Sequence, residues 1–180
     1  VENVLAALGA PAKMQVFREG ASWWHPGRHG RICLGPKKTL AVFGEIHPKI
    51  LRDMDVKGPA VAFTIWPENI PMSRRTLATR PALRLNDLQA VERDFAFVVD
   101  QSVDALTLIN AAAGADKELI ASVRLFDEFK GGSLGEKKKS LAITVRLEPK
   151  QATLKEEEIK ELSDKVIEKV TKATGGELRV

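Results

Sequence analysis

The sequence predicts an α+β protein whose C-terminal half is a four-stranded antiparallel sheet with two helices packed on one face. Two observations carry this. The runs Arg93–Asp100, Leu125–Gly131 and Gly135–Val145 contain stretches that alternate apolar and polar residues, the two-residue period of a half-buried strand. Two segments of helical periodicity are interleaved with them, giving the order strand–helix–strand–strand–helix–strand. Both helices then cover one face and leave the other open for a partner.

The elements follow along the chain. Val4, Leu5 and Leu8 read as the end of a helix stopped by Gly9 and Pro11. Met14–Arg18, Arg31–Leu34, Thr39–Gly44 and Ala60–Trp66 read as short strands, with a helix over Pro48–Met54 introduced by His47 and Pro48. Trp23–Arg28 reads as a tight turn anchored by its two tryptophans. Residues 1–75 thus form an antiparallel αβ module with a modest core of its own, suited to packing on further chain. The sequence lacks an initiator Met and opens within a helix, as an excised piece would.

Residues 76–90 read as a linker within a stretch rich in proline and arginine. Pro67, Pro71 and Pro81 break regular structure, and Arg74, Arg75, Arg80 and Arg84 add four positive charges with no acid between them.

Residues 91–180 form the second domain. Its first helix spans about Val103–Ala113, capped by Ser102, with Leu106 and Ile109 inward and Gly114 at its end. Its last helix opens on a capping box beginning at Thr153, carries Glu156, Glu157 and Glu158 where the helix dipole favours acids, and shows the stripe Ile159, Leu162, Val166, Val170. Gly175-Gly176 release the chain into a closing strand, Glu177–Val180.

Alternation assigns the faces. Phe95, Phe97, Val99, Val123, Leu125, Leu141, Ile143 and Val145 point to the helices. Asp94, Ala96, Val98, Ser122, Arg124, Phe126, Ser140, Ala142, Thr144 and Arg146 then line the open face. Exposed aromatic and guanidinium planes among small residues suit a single-stranded RNA, whose bases stack on such groups. The loop Gly131–Lys139 adds Lys137-Lys138-Lys139, a candidate phosphate contact beside Lys130.

Charge restricts how such binding could work. The net +4 divides into 13 Lys/Arg against 6 Asp/Glu in residues 1–85, and 15 against 18 in residues 86–180. The sheet half is therefore net −3, and nucleic acid must be held by a local patch. No apolar run approaches the roughly 20 residues needed to span a bilayer, and a single cysteine fits a reducing, cytoplasmic setting. His25, His29, Cys33 and His47 lack metal-ligand spacing. Gly131-Gly132-Ser133-Leu134-Gly135 joins strand to strand, so it cannot place phosphate at a helix N-terminus. No nucleophile motif is present, and no catalytic residue is assigned.

These motifs together resemble the ferredoxin-fold anticodon-binding domain that closes the beta chain in the bacterial phenylalanine–tRNA ligase family. The resemblance rests on Arg93-Asp94, Leu125-Phe126-Asp127 with Phe129 and Gly131, and Gly135-Glu136-Lys137-Lys138 with Ser140-Leu141-Ala142. Thr153-Leu154, Glu157-Glu158-Ile159 and Thr174–Arg179 extend it, with Gly176 where the family usually has alanine. Upstream, His25-Pro26-Gly27-Arg28 and Phe43–Pro48 look like the tail of that chain's class II synthetase-like core, which has lost its catalytic motifs and serves subunit contact. The resemblance implies a ferredoxin-like βαββαβ sheet and a C-terminal fragment of a cytoplasmic α2β2 ligase. That ligase charges tRNA(Phe) using ATP and Mg2+, with activation in the alpha chain and no cofactor in this segment. It points to Arg93, Arg124, Phe126, Lys130, Lys137, Lys138 and Arg146 as RNA contacts. The same strand order also occurs in amino-acid-binding regulatory modules, which stand as the alternative.

Overall fold

The computed structural model describes residues 1–72, 86–135, 137–150 and 152–179, so Arg74, Arg75, Arg80, Arg84 and Pro81 lie outside the described residues. The chain divides into two compact units, Val1–Pro81 and Ala82–Val180.

In the first unit, helix α1 (Glu2–Ala7) precedes a sheet of β1 (Gln15–Phe17), β2 (Trp24–Leu34), β3 (Lys38–Ile46) and β4 (Val61–Ile65), antiparallel in that order. Helix α2 (Pro48–Asp53) links the last two strands. Leu5 packs with Ile32, Leu40, Ala41 and Ile70 to form a small core. Trp23–Arg28 is not a free turn. β2 begins at Trp24, and residues 25–28 bulge from the ladder between the Trp24–Ile46 and His29–Gly44 pairs. Proline and glycine at 26 and 27 interrupt the pairing without ending the strand.

In the second unit, β5 (Val91–Asp100), α3 (Ala105–Ala113), β6 (Ile120–Lys130), β7 (Lys138–Leu147), α4 (Glu156–Thr174) and β8 (Glu177–Leu178) follow in the expected order. The sheet runs β6-β7-β5-β8, every neighbour antiparallel. The core is the helix-side residue set: Phe97, Val99, Leu141, Ile143 and Val145 against Leu108, Ala112, Leu162, Val166 and Val170. Each large apolar side chain fully buried there stabilises the fold by about 1.5–3 kcal/mol. The ring centroids of Phe95 and Phe97 lie 6.3 Å apart.

Three local expectations are corrected. Helix α3 is capped at Asp104, not Ser102, because residues 100–103 first close a turn of their own, the Val103 N–H donating to the Asp100 carbonyl at 3.1 Å while the Ser102 hydroxyl and N–H donate to the Asp100 carboxylate. Its buried stripe is therefore Leu108 and Ala112, and Leu106 faces solvent. Helix α4 is capped at Lys155, whose N–H donates to the Glu158 carboxylate at 2.8 Å, so Thr153 lies outside the box. The stripe Ile159, Leu162, Val166, Val170 is buried as its spacing requires. Gly175 closes α4 in the left-handed region at φ 66°, where glycine carries no Cβ penalty.

Candidate nucleic-acid interface

The helix-free face is built row by row from the register. Arg146 pairs with Glu92 and Ser122; Thr144 with Asp94 and Arg124; Ala142 with Ala96 and Asp127; Ser140 with Val98 and Phe129. The third row contains a departure from simple alternation. Leu125 pairs with Ile143 and Asp127 with Ala142, so Phe126 is an extra residue bulged from β6. One extra residue reverses the phase of everything after it. Phe129 thereby reaches the helix-free face, while Glu128 and Lys130 turn to the other side, opposite Leu141 and Lys139. Phe126 remains 52% exposed and Phe129 43%. Phe129 was absent from the open-face residues that alternation assigns, since the bulge is a property of the β6–β7 pair.

From the opposite edge, β8 adds a second element that alternation did not reveal. Glu177 pairs with Val98, and the Arg179 N–H donates to the Ala96 carbonyl at 2.7 Å, which puts the Arg179 side chain on the helix-free side. Its guanidinium carbon lies 5.9 Å from the centroid of the Phe129 ring. The contact spans the whole sheet, since β7 and β5 lie between β6 and β8. Ser140, in the row with Phe129, is only 4% exposed although α3 and α4 pack on the opposite side of the sheet. The face is thus partly roofed, not fully open.

The seven residues singled out by sequence fall into three places. Arg124, Phe126 and Arg146 lie on β6 and β7 of the helix-free face. Arg124 has no ion pair among the described residues, whereas Arg146 is tied to Glu148 at 3.0 Å and Glu92 at 3.7 Å. Lys137 and Lys138 stand exposed at the hairpin end, Lys138 paired with Asp100 at the start of β7 and not in a loop. The Asp100 carboxyl is held below its usual range, first by the Ser102 hydroxyl and N–H, then by Lys137 and Lys138. Arg93 and Lys130 point to the helix side. Arg93 pairs with the buried Val145 and lines a depression with Glu156, Glu157 and Lys160. Lys130 contacts Glu128 at 3.1 Å, and the buried Lys139 reaches the same carboxylate at 3.4 Å.

Acids temper the charge of the face. Asp94 accepts the Thr144 hydroxyl at 2.6 Å, and Asp127, Glu92 and Glu177 share the surface. Flat groups and hydrogen-bonding edges therefore outweigh net positive potential here. In the first unit the histidines serve local structure: His29 Nδ1 meets the His25 carbonyl at 2.7 Å, and His47 Nδ1 accepts from the Lys49 N–H at 3.1 Å. Cys33 is buried, with Arg31 Nη1 at 3.3 Å. Among the described residues no group of three metal-ligating side chains converges, and no helix is long and apolar enough to cross a membrane.

Residues 1–66 match the family described as phenylalanyl tRNA synthetase beta chain CLM domain, and residues 87–179 match ferredoxin-fold anticodon binding domain. The chain is 71% identical over 178 residues to the phenylalanine–tRNA ligase beta subunit of Ruegeria pomeroyi, covering 99% of this chain and 22% of that one. The corresponding proteins of Cereibacter sphaeroides and Mesorhizobium japonicum are 63% and 48% identical, over 99% and 97% of this chain and again 22% of theirs. The chain thus spans about a fifth of the length of these curated relatives. With a match across residues 87–179, just over half its length, the chain belongs to the ferredoxin-fold anticodon binding domain family.

Proposed function

We propose that the chain is the tRNA-binding and subunit-contact part of a phenylalanine–tRNA ligase beta chain, and that its helix-free sheet face takes the anticodon region of tRNA(Phe). The observation that carries this is the grouping of Arg124, Phe126, Phe129 and Arg179 around the small Ala96 and Ala142 on a face free of helices. Small side chains let a strand of RNA approach the backbone, and rings and guanidinium planes stack on its bases. Lys137 and Lys138 extend the track at the hairpin end as phosphate contacts. Arg146 orients through its two carboxylates, and Arg93 and Lys130 meet RNA only where its backbone wraps past the sheet edge. The segment performs no chemistry of its own. Charging with phenylalanine, ATP and Mg2+ belongs to the parent α2β2 assembly in the cytoplasm.

The first unit supports the contact role. Along the edge strand β4, Val61 is 83% exposed, and Phe63, more than half exposed, pairs with Phe43. Unpaired apolar edges of this kind call for covering chain, and an alpha subunit or further beta chain supplies it.

Titration of the 180-residue chain with a tRNA(Phe) anticodon stem-loop at low salt tests the reading. Phe126→Ala combined with Lys137→Glu and Lys138→Glu is expected to weaken binding at least ten-fold, from one lost stack and two lost phosphate contacts. Unchanged affinity in a variant with an intact far-UV spectrum would sink the proposed face.

A further inference from the structure

A cleft of about 630 Å³ opens on the helix side of the second unit. Three stretches of chain wall it: Asp116 to Leu119 after α3, residues 149, 150 and 152–155 after β7, and one face of α4. Its apolar floor is Leu119, Leu154 and Leu162, all packed into or against the core. From α4 it takes Glu158, Glu161, Leu162 and Lys165, spaced as one side of a helix.

The backbone of these walls is already occupied. The Glu118 and Leu119 N–H groups donate to the Asp116 carboxylate at 2.8 and 2.9 Å, and the Leu119 carbonyl accepts from the Glu148 N–H at 2.8 Å. The Lys155 N–H is spent on Glu158. What remains for a guest is a set of side-chain heads of both signs. Lys150, Lys155 and Lys165 form no ion pair among the described residues, and neither do Glu118 and Glu161. The Leu119 and Glu118 N–H groups hold the Asp116 carboxyl below its usual range, and Lys165 and Lys150 add to the effect. Both ammonium groups therefore stand near that turn.

We propose that this cleft binds a free α-amino acid with a large apolar side chain. Its side chain lies on Leu119, Leu154 and Leu162, its carboxylate meets Lys150 and Lys165, and its ammonium meets Glu118 and Glu161. The volume falls in the range of small-molecule sites, and the walls are fixed before a ligand arrives. An inorganic anion would leave the floor wet, and a plain hydrocarbon would leave the charges unused. The site shares no residue with the helix-free face and stands whether or not that face takes RNA. It also touches the entry to the domain. The Pro149 carbonyl accepts the Asn86 side-chain N–H at 2.8 Å, and the Asn86 oxygen accepts the Leu88 N–H, so this wall pins the segment leading into β5.

The test is an amide-resolved NMR titration of the 180-residue chain with L-leucine and L-phenylalanine. Saturable shifts are expected at the Glu118, Leu119, Lys150 and Leu154 amides and at the Asn86 side chain, with a dissociation constant of roughly 1 mM. Hydrocinnamate lacks the ammonium of phenylalanine and phenethylamine lacks its carboxylate. Each is expected to bind on the order of ten-fold more weakly than the amino acid. Lys150→Gln with Lys165→Gln should weaken phenylalanine by a similar factor and leave phenethylamine unchanged. Glu118→Gln with Glu161→Gln should weaken phenylalanine and leave hydrocinnamate unchanged. Lys160→Gln, on α4 outside the cleft, should change none of the three. The site is overturned by an absence of saturable shifts in the millimolar range, or by half-analogues that bind as tightly as the amino acid. A loss in Lys160→Gln equal to that in the cleft variants overturns it as well. Anticodon stem-loop affinity measured on the same variants keeps the two readings apart, since failure of the cleft leaves that affinity where it was.

Discussion

A Cβ placed on Gly176 would stand 2.6 Å from Cγ1 of Val99 and 3.1 Å from the Val98 carbonyl, so the chain leaving α4 passes β5 with only a hydrogen between them. Gly176→Ala is therefore expected to lower stability by about 1–3 kcal/mol, the usual cost of overpacking a filled core. Val99→Ala in the same chain should recover part of the loss. Urea denaturation of the two single variants and the double variant gives that coupling directly.

Gly44 makes a harder constraint in the first unit. Its Cβ would meet His29 Cβ at 2.6 Å and the Arg28 carbonyl oxygen at 2.8 Å. Backbone, unlike a side-chain tip, cannot swing aside. Gly44→Ala is expected to cost more than about 2 kcal/mol, and His29→Ala should fail to rescue it, because the carbonyl stays in place. Thermal melts of both variants check this.

Glu128 gives a pH signature. The Lys130 ammonium, with Lys139 beside it, holds its carboxyl below the usual carboxylate range against the opposing effect of burial. A depressed carboxyl contributes stability that is full above its unfolded pKa and lost as pH falls through the lower folded value. Glu128→Gln is thus expected to destabilise by about 1 kcal/mol near neutrality, the partial exposure of Glu128 being offset by the buried Lys139 it leaves unpaired. The gap from the parent should close below the ordinary carboxylate pKa of 4.5, as the parent loses the same interaction. Melting temperatures across that range show it.

RNA binding should depend only modestly on salt. With Arg179 turned to the Phe129 ring, Arg124, Lys137 and Lys138 are the remaining cations of the track without a close carboxylate ion pair among the described residues. Three neutralised phosphates give a slope of log K against log salt of roughly −2 for a single strand. Replacing Lys137 and Lys138 by glutamine should flatten it to about −0.7. A slope several-fold steeper would mean that cations elsewhere dominate.

What could be read from sequence was whatever repeats along one segment. The Phe95–Phe97–Val99 and Leu141–Ile143–Val145 alternations and the α4 stripe each state their own buried side, and each is buried or packed against the core as read. Phe129 and Arg179 stayed hidden for a different reason. The facing of Phe129 depends on a bulge defined only once β6 is paired with β7, and Arg179 reaches it from an edge strand fifty residues later in the chain. Ser102 failed as a cap because residues 100–103 close a turn of their own before the helix begins at Ala105. Arg93 and Lys130 are cationic, as the motif suggested, but their register sends them to the helix side.

The bulge at Phe126 also makes the length of β6 a functional variable. Holding Phe126 in the ladder would make Phe129 trade sides with Glu128 and Lys130, whereas deleting it would leave every pair from Asp127 onward, and the side that Phe129 takes, as they are. The protein with residue 126 deleted should still fold, its binding surface short of one ring. Changes of length between Leu125 and Lys130 should therefore be felt in RNA affinity before they are felt in solubility.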